Sequence, residues 1–305
     1  MKLAMRLLVL LGWTVIFWNV ENFFDPSADT SNPSERSFSA DGDRRWTAGR
    51  FKTKARAIAK VVLALSDSTG TPPDIVCLCE VENARCLREI TGQPAMRKYG
   101  YRFVHYDSPD PRGIDCALLY RSAPGVGRLL ESRSAAVRDS LGAVLPTRAL
   151  LLAEFDSLAV IVCHLPSKRG GSATADRRRS LALSALSRMC DSVRTAAPGR
   201  LLIALGDFND IRTPASDSVM APMRELSASG APGSLKFEGR WEQIDRAFVS
   251  DSSAVALRIA ALPCLTAVDK KYGGTKPLRT FSGPRYLGGV SDHYPIILSS
   301  SRRRR

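Results

Sequence analysis

The sequence predicts an α/β fold, and two of its features support this prediction. Apolar, strand-like runs alternate along the chain with segments of helical periodicity, as they do in α/β proteins. Several of the runs lack polar alternation, which is typical of strands buried on both faces of a sheet. A chain of 305 residues with 44% hydrophobic composition is long enough for one large core or two smaller ones.

The first half of the chain predicts four strands, a loop and one helix. The run VIFWNV at 15–20 predicts the first buried strand. Residues 25–50 are rich in Pro, Ser, Asp, Gly and Arg and predict a long loop. Apolar residues at helical spacing from Ile58 to Leu65 predict an amphipathic helix over 51–65. Further strands are predicted over 74–81, 101–107 and 114–120.

The second half predicts a hairpin, a buried strand and a basic, glycine-rich loop. Two neighbouring apolar runs, 149–155 and 158–165, predict the hairpin. The run LLIALGDFND at 201–210 predicts the strand, since five apolar residues precede Gly206. Residues 167–175 are basic and contain glycine, and predict the loop. The remaining predictions are helices over 177–190 and 221–226, strands over 239–249, 258–263 and 296–298, and a long loop over 266–289.

The charge of the chain points to an anionic partner. The formal net charge is +14 and the isoelectric point is near 9.8. Solubility alone is the alternative explanation of such a charge. The basic residues gather in four segments, and the last of them belongs to the tail 301–305, which is expected to be solvated. These segments are 44–60, 168–179, 270–285 and 302–305.

The cysteines favour a reducing compartment. The chain has seven of them, an odd number, and most lie in apolar, strand-like runs. This placement predicts small core residues rather than a disulfide framework, and it favours the cytoplasm. Cys77 and Cys79 are two residues apart, which is not the spacing of a metal-binding pair.

The amino-terminal segment, residues 1–14, leaves secretion or membrane anchoring open. Lys2 and Arg6 precede a short run of leucine and valine that resembles the front of a signal peptide. The segment lacks a small-residue cleavage site and continues directly into the first strand. An uncleaved segment, a misassigned start at Met5 and a membrane anchor are the alternatives. Residues 15–300 are expected to form the functional domain.

Polar side chains lie at the ends of the predicted strands. Residues two apart in an extended chain point the same way, so Asp207 and Asn209 would share one space. A turn is the alternative explanation, because Gly, Asp and Asn are common turn residues. Glu80 follows an apolar run and needs a metal or an arginine as its partner. Two of the chain's three histidines also occupy such positions, and the full set is Asn19, Glu21, Glu80, His164, Asp207, Asn209, Asp245, Asp292 and His293.

Seven segments together resemble the endonuclease/exonuclease/phosphatase superfamily, which includes deoxyribonuclease I. The resemblance covers residues 15–298, and its most specific motifs are LGDFND (205–210) and GVSDHYP (289–295). It implies a four-layered α/β sandwich, in which two face-to-face mixed β-sheets are flanked by helices. The other segments that carry it are WNVEN (18–22), CEVEN (79–83), GIDCALLYR (113–121), CHLPSKRGG (163–171) and QIDRAFV (243–249).

The resemblance also implies a role for each strand-end residue. Asn19 and Glu80 match the metal-site residues of the family, with Mg²⁺ as the expected cofactor and Mn²⁺ as an alternative. Glu21 stands where one branch of the family has an aspartate. The pair Asp207 and Asn209 matches the residues that orient the attacking water and the phosphate. The remaining matches are a phosphate-contacting histidine at His293, its neighbour Asp292, the aspartate that supports a catalytic histidine at Asp245, and a branch-specific histidine at His164.

The chemistry of phosphodiester hydrolysis is consistent with this set. The reaction needs charge neutralisation, a positioned nucleophile and protonation of the leaving oxygen. We expect Asp207 to position or deprotonate the water. We expect both His164 and His293 to be cationic, held so by Asp245 and Asp292.

Nucleic acid is the expected substrate, and DNA cleavage with little sequence specificity is the expected activity. Lys168, Arg169 and Arg279 lie next to the polar strand ends, where they would contact phosphates. The alternative is a phosphatase or phosphodiesterase that acts on a small phosphorylated molecule or a lipid headgroup. A basic binding domain without catalysis is a third reading, although no expected catalytic residue is missing. The sequence indicates no protein partner, and we expect a monomer.

Overall fold

The structure is a computed structural model that describes residues 12–27, 32–67, 70–167, 173–251 and 255–300. Two large mixed sheets face each other, with helices on their outer sides, so the predicted four-layered sandwich is confirmed. Most of the segment 1–14 and the whole tail 301–305 lie outside the described residues. No helix among the described residues is long and apolar enough to span a membrane.

The first sheet has seven strands, and its centre is formed by two parallel strands near the amino terminus. β1 (Thr14–Phe23) pairs in parallel with β2 (Ile75–Val81), so both strands carry their polar ends to one edge. The other strands are β3 (Arg102–His105), β4 (Asp115–Tyr120), β10 (Ala228–Gly230), β14 (Val255–Ile259) and β19 (Ile296–Ser300), in the order β10-β14-β19-β1-β2-β4-β3.

The second sheet has six strands and, like the first, a central pair of parallel strands. β7 (Leu158–His164) and β8 (Leu201–Asp207) are parallel, and their register places His164 beside Asp207. β13 (Asp245–Val249) runs antiparallel to β8 and places Asp245 on the other side of Asp207. The remaining strands are β5 (Leu129–Ala135), β6 (Leu150–Phe155) and β9 (Arg224–Glu225), in the order β5-β6-β7-β8-β13-β9.

Alternate residues of β7 belong to two different cores. Val160 and Val162 point between the sheets, where they join the apolar residues of β1 and β2. Ile161 and Cys163 point outward and pack with Leu186 of the long helix behind the second sheet. This period-2 pattern explains why the run has no polar alternation, since both faces of the strand are buried.

Six helices, α1 to α6, and three small hairpins complete the described chain. The helices are α1 (Pro33–Ser37), α2 (Ala48–Ala64), α3 (Ala84–Thr91), α4 (Pro94–Lys98), α5 (Ala173–Ala196) and α6 (Pro214–Met220), and Pro263–Leu265 forms a 3₁₀ turn. The hairpins pair β11 (Leu235–Phe237) with β12 (Arg240–Glu242), β15 (Thr266–Val268) with β16 (Thr275–Pro277), and β17 (Phe281–Ser282) with β18 (Arg285–Tyr286).

The helix predicted over 221–226 is wrong. The helix of this region is α6, because Thr213 caps its amino end and Pro214 occupies its first turn. Pro222 follows the helix, and Arg224 and Glu225 pair with β13 as a short strand. The predicted loop 25–50 contains α1 and the start of α2, and the predicted loop 266–289 contains two of the hairpins.

Gly206 provides a test of the packing between β7 and β8. A Cβ atom at this position would lie 2.0 Å from the carbonyl oxygen of Cys163. We expect Gly206→Ala to lower the free energy of unfolding by about 2–3 kcal/mol, because neither strand can move without disturbing both cores. Urea denaturation followed by circular dichroism measures the change.

Gly49→Ala is the matched control. Gly49 lies in the first turn of α2, and a Cβ atom added there would lie 3.7 Å from Oγ1 of Thr47. We expect this variant to unfold at the same urea concentration as the wild type or at a slightly higher one. Equal midpoints for Gly206→Ala and the wild type would show that the strand contact is not as tight as described.

Candidate active site

Asp207 and Asn209 form a hydrogen-bonded corner at the end of β8. Asp207 is buried, and its Oδ1 accepts the backbone N–H of Asn209 at 2.8 Å. Asn209 has a φ of +51°, in the left-handed region, and its Nδ2 donates to the carbonyl of Leu165 at 2.9 Å. The segment is therefore a turn as well as a site, and the turn directs the second oxygen of Asp207 into the space between the sheets.

His293 and Asp245 form a buried pair across the two sheets. Nδ1 of His293 lies 2.7 Å from Oδ2 of Asp245. The backbone carbonyl of His293 accepts the indole N–H of Trp18 at 2.9 Å, and this contact fixes the position of the residue. Although burial lowers the pKa of His293, the carboxylates of Asp245 and Asp207 raise it well above 6.5. His293 is therefore cationic, as the sequence predicts.

His164 is neutral, unlike His293, so the prediction that it is cationic is wrong. Burial lowers its pKa well below 6.5, and the nearby charges of Arg148 and Arg112 act in the same direction. Its Nε2 lies 3.6 Å from Oδ2 of Asp207 and 3.9 Å from Oε1 of Glu80. Its buried Nδ1 has no hydrogen-bond partner among the described residues. The neutral tautomer with a proton on Nε2, facing the carboxylates, fits this environment best.

Glu80 and Asn19 meet between the sheets. Glu80 has a φ of +61°, and its Oε2 accepts the backbone N–H of Asn22 at 2.7 Å. Arg112 lies 3.6 Å from the same oxygen, so the carboxylate has an arginine partner. Asn19 donates through Nδ2 to Asp207 at 3.0 Å, while its Oδ1 accepts the backbone N–H of Glu21 at 2.9 Å. As a metal ligand, Asn19 would present its oxygen only after rotation of the amide.

Arg279 links two further carboxylates at the rim of the site. Its guanidinium lies 3.0 Å from Asp292 and 3.3 Å from Glu21, and about 40% of its side chain is exposed. Burial raises the pKa of Glu21 to about 7, and the charge of Asp292 adds to the effect. Oε2 of Glu21 also accepts the backbone N–H of Thr280 at 2.7 Å.

A fully buried lysine lies behind Glu21. Nζ of Lys54 donates to the backbone carbonyl of Glu21 and, at 2.7 Å, to the hydroxyl of Thr280. Burial lowers the pKa of Lys54 to about 8, against the opposing effect of Glu21. Lys54 therefore ties α2 to the edge of the site from which Arg279 projects.

The centre of the site is Oδ2 of Asp207, which also accepts the side-chain amide of Asn19. This oxygen lies 4.0 Å from Nε2 of His293 and 3.6 Å from Nε2 of His164. Burial raises the pKa of Asp207 to about 7, and the charge of Asp245 raises it further. Nε2 of His164, Nε2 of His293 and the carboxylate of Asp207 thus converge at distances too long for hydrogen bonds between them. All three can therefore reach a substrate oxygen. Donor atoms of Asp207, Asp245 and His293 lie within 4.8 Å of one another, but a protonated His293 offers no lone pair to a metal ion.

Most of the predicted site residues meet at this edge, but two lie outside the described residues. Lys168 and Arg169, predicted to contact phosphate, belong to 168–172, of which nothing is described. Sequence reasoning missed Arg112 and Arg148, whose guanidinium holds the carbonyls of His164 and Leu165 at 3.1 and 2.6 Å. Neither arginine lies in a basic segment, so charge clustering gave no signal for them. The predicted residues brought together are Asn19, Glu21, Glu80, His164, Asp207, Asn209, Asp245, Arg279, Asp292 and His293.

Fold and site together define a phosphoesterase built on a four-layered α/β sandwich. A profile of the Endonuclease/Exonuclease/phosphatase family matches residues 14–302. The chain belongs to that family of phosphoester hydrolases. No curated protein sequence matches the chain closely enough to count as a relative.

Solved structures with the same fold share little sequence with this chain. Sphingomyelinase C from Streptomyces griseocarneus has a TM-score of 0.61 at 13% identity, over 95% of this chain and 100% of that one. Beta toxin from Staphylococcus aureus, with bound magnesium ions, has a TM-score of 0.59 at 13% identity, over 95% and 100%. The human Nocturnin catalytic domain, with a bound sulfate anion, has a TM-score of 0.57 at 18% identity, over 95% and 94%.

The two site histidines provide a test of the electrostatics. At pH 7 we expect the ¹⁵N NMR signals of His293 to be those of an imidazolium and the signals of His164 those of a neutral ring. In Asp245→Asn the pKa of His293 should fall, because burial then acts without its main opposing charge. Since the folded pKa of His293 is raised, its contribution to stability is present below pH 6.5 and lost as pH rises through the folded pKa.

Assignment is straightforward because the chain has three histidines. Single substitutions of His105, His164 and His293 identify each pair of signals. His105 contacts Asp115 and neither Asp207 nor Asp245, so Asp245→Asn should leave its NMR signals in place. A wild-type His293 that titrates at or below pH 6.5 would contradict the cationic pair.

Proposed function

We propose that this protein is a magnesium-dependent phosphodiesterase that acts as an endonuclease on DNA with little sequence specificity. The observation that supports it most directly is the convergence of His164, His293 and Asp207. The Nε2 atoms of His164 and His293 lie 3.6 and 4.0 Å from Oδ2 of Asp207. The carboxylate of Glu80 lies at the same edge. A phosphate group needs proton donors, a base and charge neutralisation at one point, and this edge supplies all three.

Each of the three side chains has a distinct role in the proposed reaction. Asp207 accepts the proton of the attacking water, and its position is fixed by Asn19 and by the turn to Asn209. His293, kept protonated by Asp245, stabilises the charge that develops on the phosphate and donates a proton toward the leaving oxygen. Neutral His164 donates a hydrogen bond through Nε2 to a phosphate oxygen, without a charge of its own.

The residues present fit a divalent cation. Burial raises the pKa values of Glu21 and Asp207 to about 7, and the neighbouring carboxylates of Asp292 and Asp245 add to it, an effect that a bound cation would offset. The donors are hard oxygen atoms, which Mg²⁺ prefers. Glu80 would hold the ion, with Asn19 and Asp292 beside it, and bound magnesium would neutralise charge on the phosphate. The magnesium ions bound to beta toxin support this choice of metal.

The distribution of charge favours DNA as the substrate. Arg112 and Arg279 stand at the rim of the site with about 40% of each side chain exposed, so both can reach a backbone phosphate. Contacts of this kind do not read bases, so cleavage should depend weakly on sequence. A small phosphoester or lipid headgroup is the alternative substrate for the same chemistry.

Nicking of supercoiled plasmid by the purified protein tests the proposal. With magnesium we expect nicked product, and with EDTA we expect none. Asp207→Asn should lower the rate by about 10²–10⁴-fold, because the base is lost while the shape of the side chain is kept. Gel electrophoresis of time points measures the rate.

Asp107→Asn is the matched control, since this carboxylate is 93% exposed and lies 3.9 Å from His105. We expect it to nick at the wild-type rate. Absence of nicking by folded wild-type protein would rule out the DNA assignment, and sphingomyelin, inositol phosphates and nucleotides would then be tried. Normal nicking by Asp207→Asn would rule out the proposed role of Asp207.

A further inference from the structure

A basic cleft of about 350 Å³ lies beside the active site. Two of the four basic segments of the sequence meet in it, although they are more than two hundred residues apart. One wall comes from the turn before α2, and the other comes from the hairpin of β17 and β18. Its lining includes four arginines and a single acidic residue: Arg44, Arg45, Arg50, Arg285 and Asp43.

Aromatic rings and backbone carbonyls hold two of these arginines in place. The guanidinium of Arg50 lies 4.3 Å from the ring centroid of Tyr286, and its Nη1 donates to the carbonyls of Arg44 and Arg45 at 2.9 Å each. The guanidinium of Arg44 lies 4.9 Å from the ring centre of Phe38 and 5.1 Å from that of Phe281. Stacking fixes the cations at little entropic cost and leaves their charge uncompensated.

No carboxylate of the described residues forms an ion pair with any of the four arginines. The described acids near the active site pair instead with Arg279, Arg112 and the histidines. Asp43 is the single acidic residue of the lining, so four cations face one carboxylate. Their mutual repulsion is unfavourable, and a bound anion would offset it.

A short stretch of chain, residues 279–281, joins the cleft to the active site. Phe281, beneath Arg44, follows Thr280 and Arg279 in the chain, and those two residues contact the carboxylate of Glu21. Burial lowers the pKa of Arg44, Glu21 raises it and Arg279 lowers it, so the charges of the site act on the cleft. Arg50 also lies one turn before Lys54, which binds the backbone of Glu21.

We propose that this cleft is an accessory phosphate-binding site that holds a second phosphate of the strand whose scissile phosphate lies at Asp207. The inference rests on the proposed function, because it names a substrate with several phosphates in a row. The cleft suits phosphate better than a base, since Arg50 covers one face of the Tyr286 ring and the same ring packs against Phe281.

A nucleic-acid strand fits this surface better than a lipid bilayer does. The tip of the hairpin consists of Ser282, Gly283 and Pro284 and carries no large apolar side chain for insertion. A single exposed leucine, Leu287, lies near it. Membrane binding would require a larger apolar contact than this.

The test measures the binding of a 5′-fluorescein-labelled 12-nucleotide DNA strand by fluorescence anisotropy, in EDTA, so that cleavage does not interfere. We expect Arg45→Gln/Arg285→Gln to raise the Kd at least about tenfold at 0.1 M NaCl, since both side chains are exposed and lose only charge. The slope of log Kd against log salt should become shallower by about 0.7 for each lost phosphate contact.

Arg102→Gln/Arg128→Gln removes the same charge elsewhere. Strand register places Arg102 beside Tyr120, which pairs in turn with Ile75, at the opposite end of its sheet from Glu80. Arg128 precedes β5, which pairs with the end of β6 farthest from His164. We expect this control to change the Kd less than twofold, and thermal unfolding checks that both double variants are folded.

The outcomes separate this proposal from the proposed function. Equal Kd values for the two double variants would overturn the accessory site, whatever the plasmid assay shows. Loss of binding in the cleft variant, together with no plasmid nicking by the wild type, would support the site and contradict the nuclease. Binding of phosphatidylserine vesicles that only the cleft variant loses, with DNA binding intact, would overturn the site in favour of a lipid surface.

Discussion

The site depends on buried polar contacts that join the two sheets at one edge. Asp245 of the second sheet pairs with His293, in the loop that leads into β19 of the first sheet, and Asn19 of the first sheet donates to Asp207 of the second. Elsewhere the sheets meet through apolar side chains. A buried charge is costly unless it is paired, so the imidazolium and its carboxylate hold the sheets in a single relative position. The contacts that position the two sheets relative to each other are thus the same contacts that arrange the site.

The two site histidines show how one fold gives identical side chains different chemistry. Each is buried, and each has a carboxylate within 4 Å. His293 faces Asp245 at hydrogen-bond distance, whereas His164 lies close to the positive charges of Arg148 and Arg112. Neighbouring carboxylates outweigh the effect of burial on the pKa of His293, whereas at His164 the arginines add to the effect of burial. A cationic group and a neutral donor therefore stand on opposite sides of the same carboxylate.

The sequence predicted the fold and most of the candidate site, because the residues that form both are recognisable from short sequence patterns. Buried strands appear as apolar runs, and motifs such as GDFND place polar groups at their ends. The charge of His164 could not be predicted, since Arg148 and Arg112 act on it only after folding. The basic cleft could not be predicted from the sequence either, because Arg44 and Arg285 are distant in the chain and come together only in the folded protein. The small hairpins were missed since two-residue and three-residue strands have no measurable periodicity.

Arg148 gives the site a mechanical property. It binds the carbonyls of His164 and Leu165 on one side and the carboxylate of Asp110 at 2.9 Å on the other. Asp110 lies two residues before Arg112, in the turn that places this arginine against Glu80. The turn is therefore braced against the strand that carries His164, and it cannot swing independently. On this side of the site a substrate therefore meets a preshaped wall.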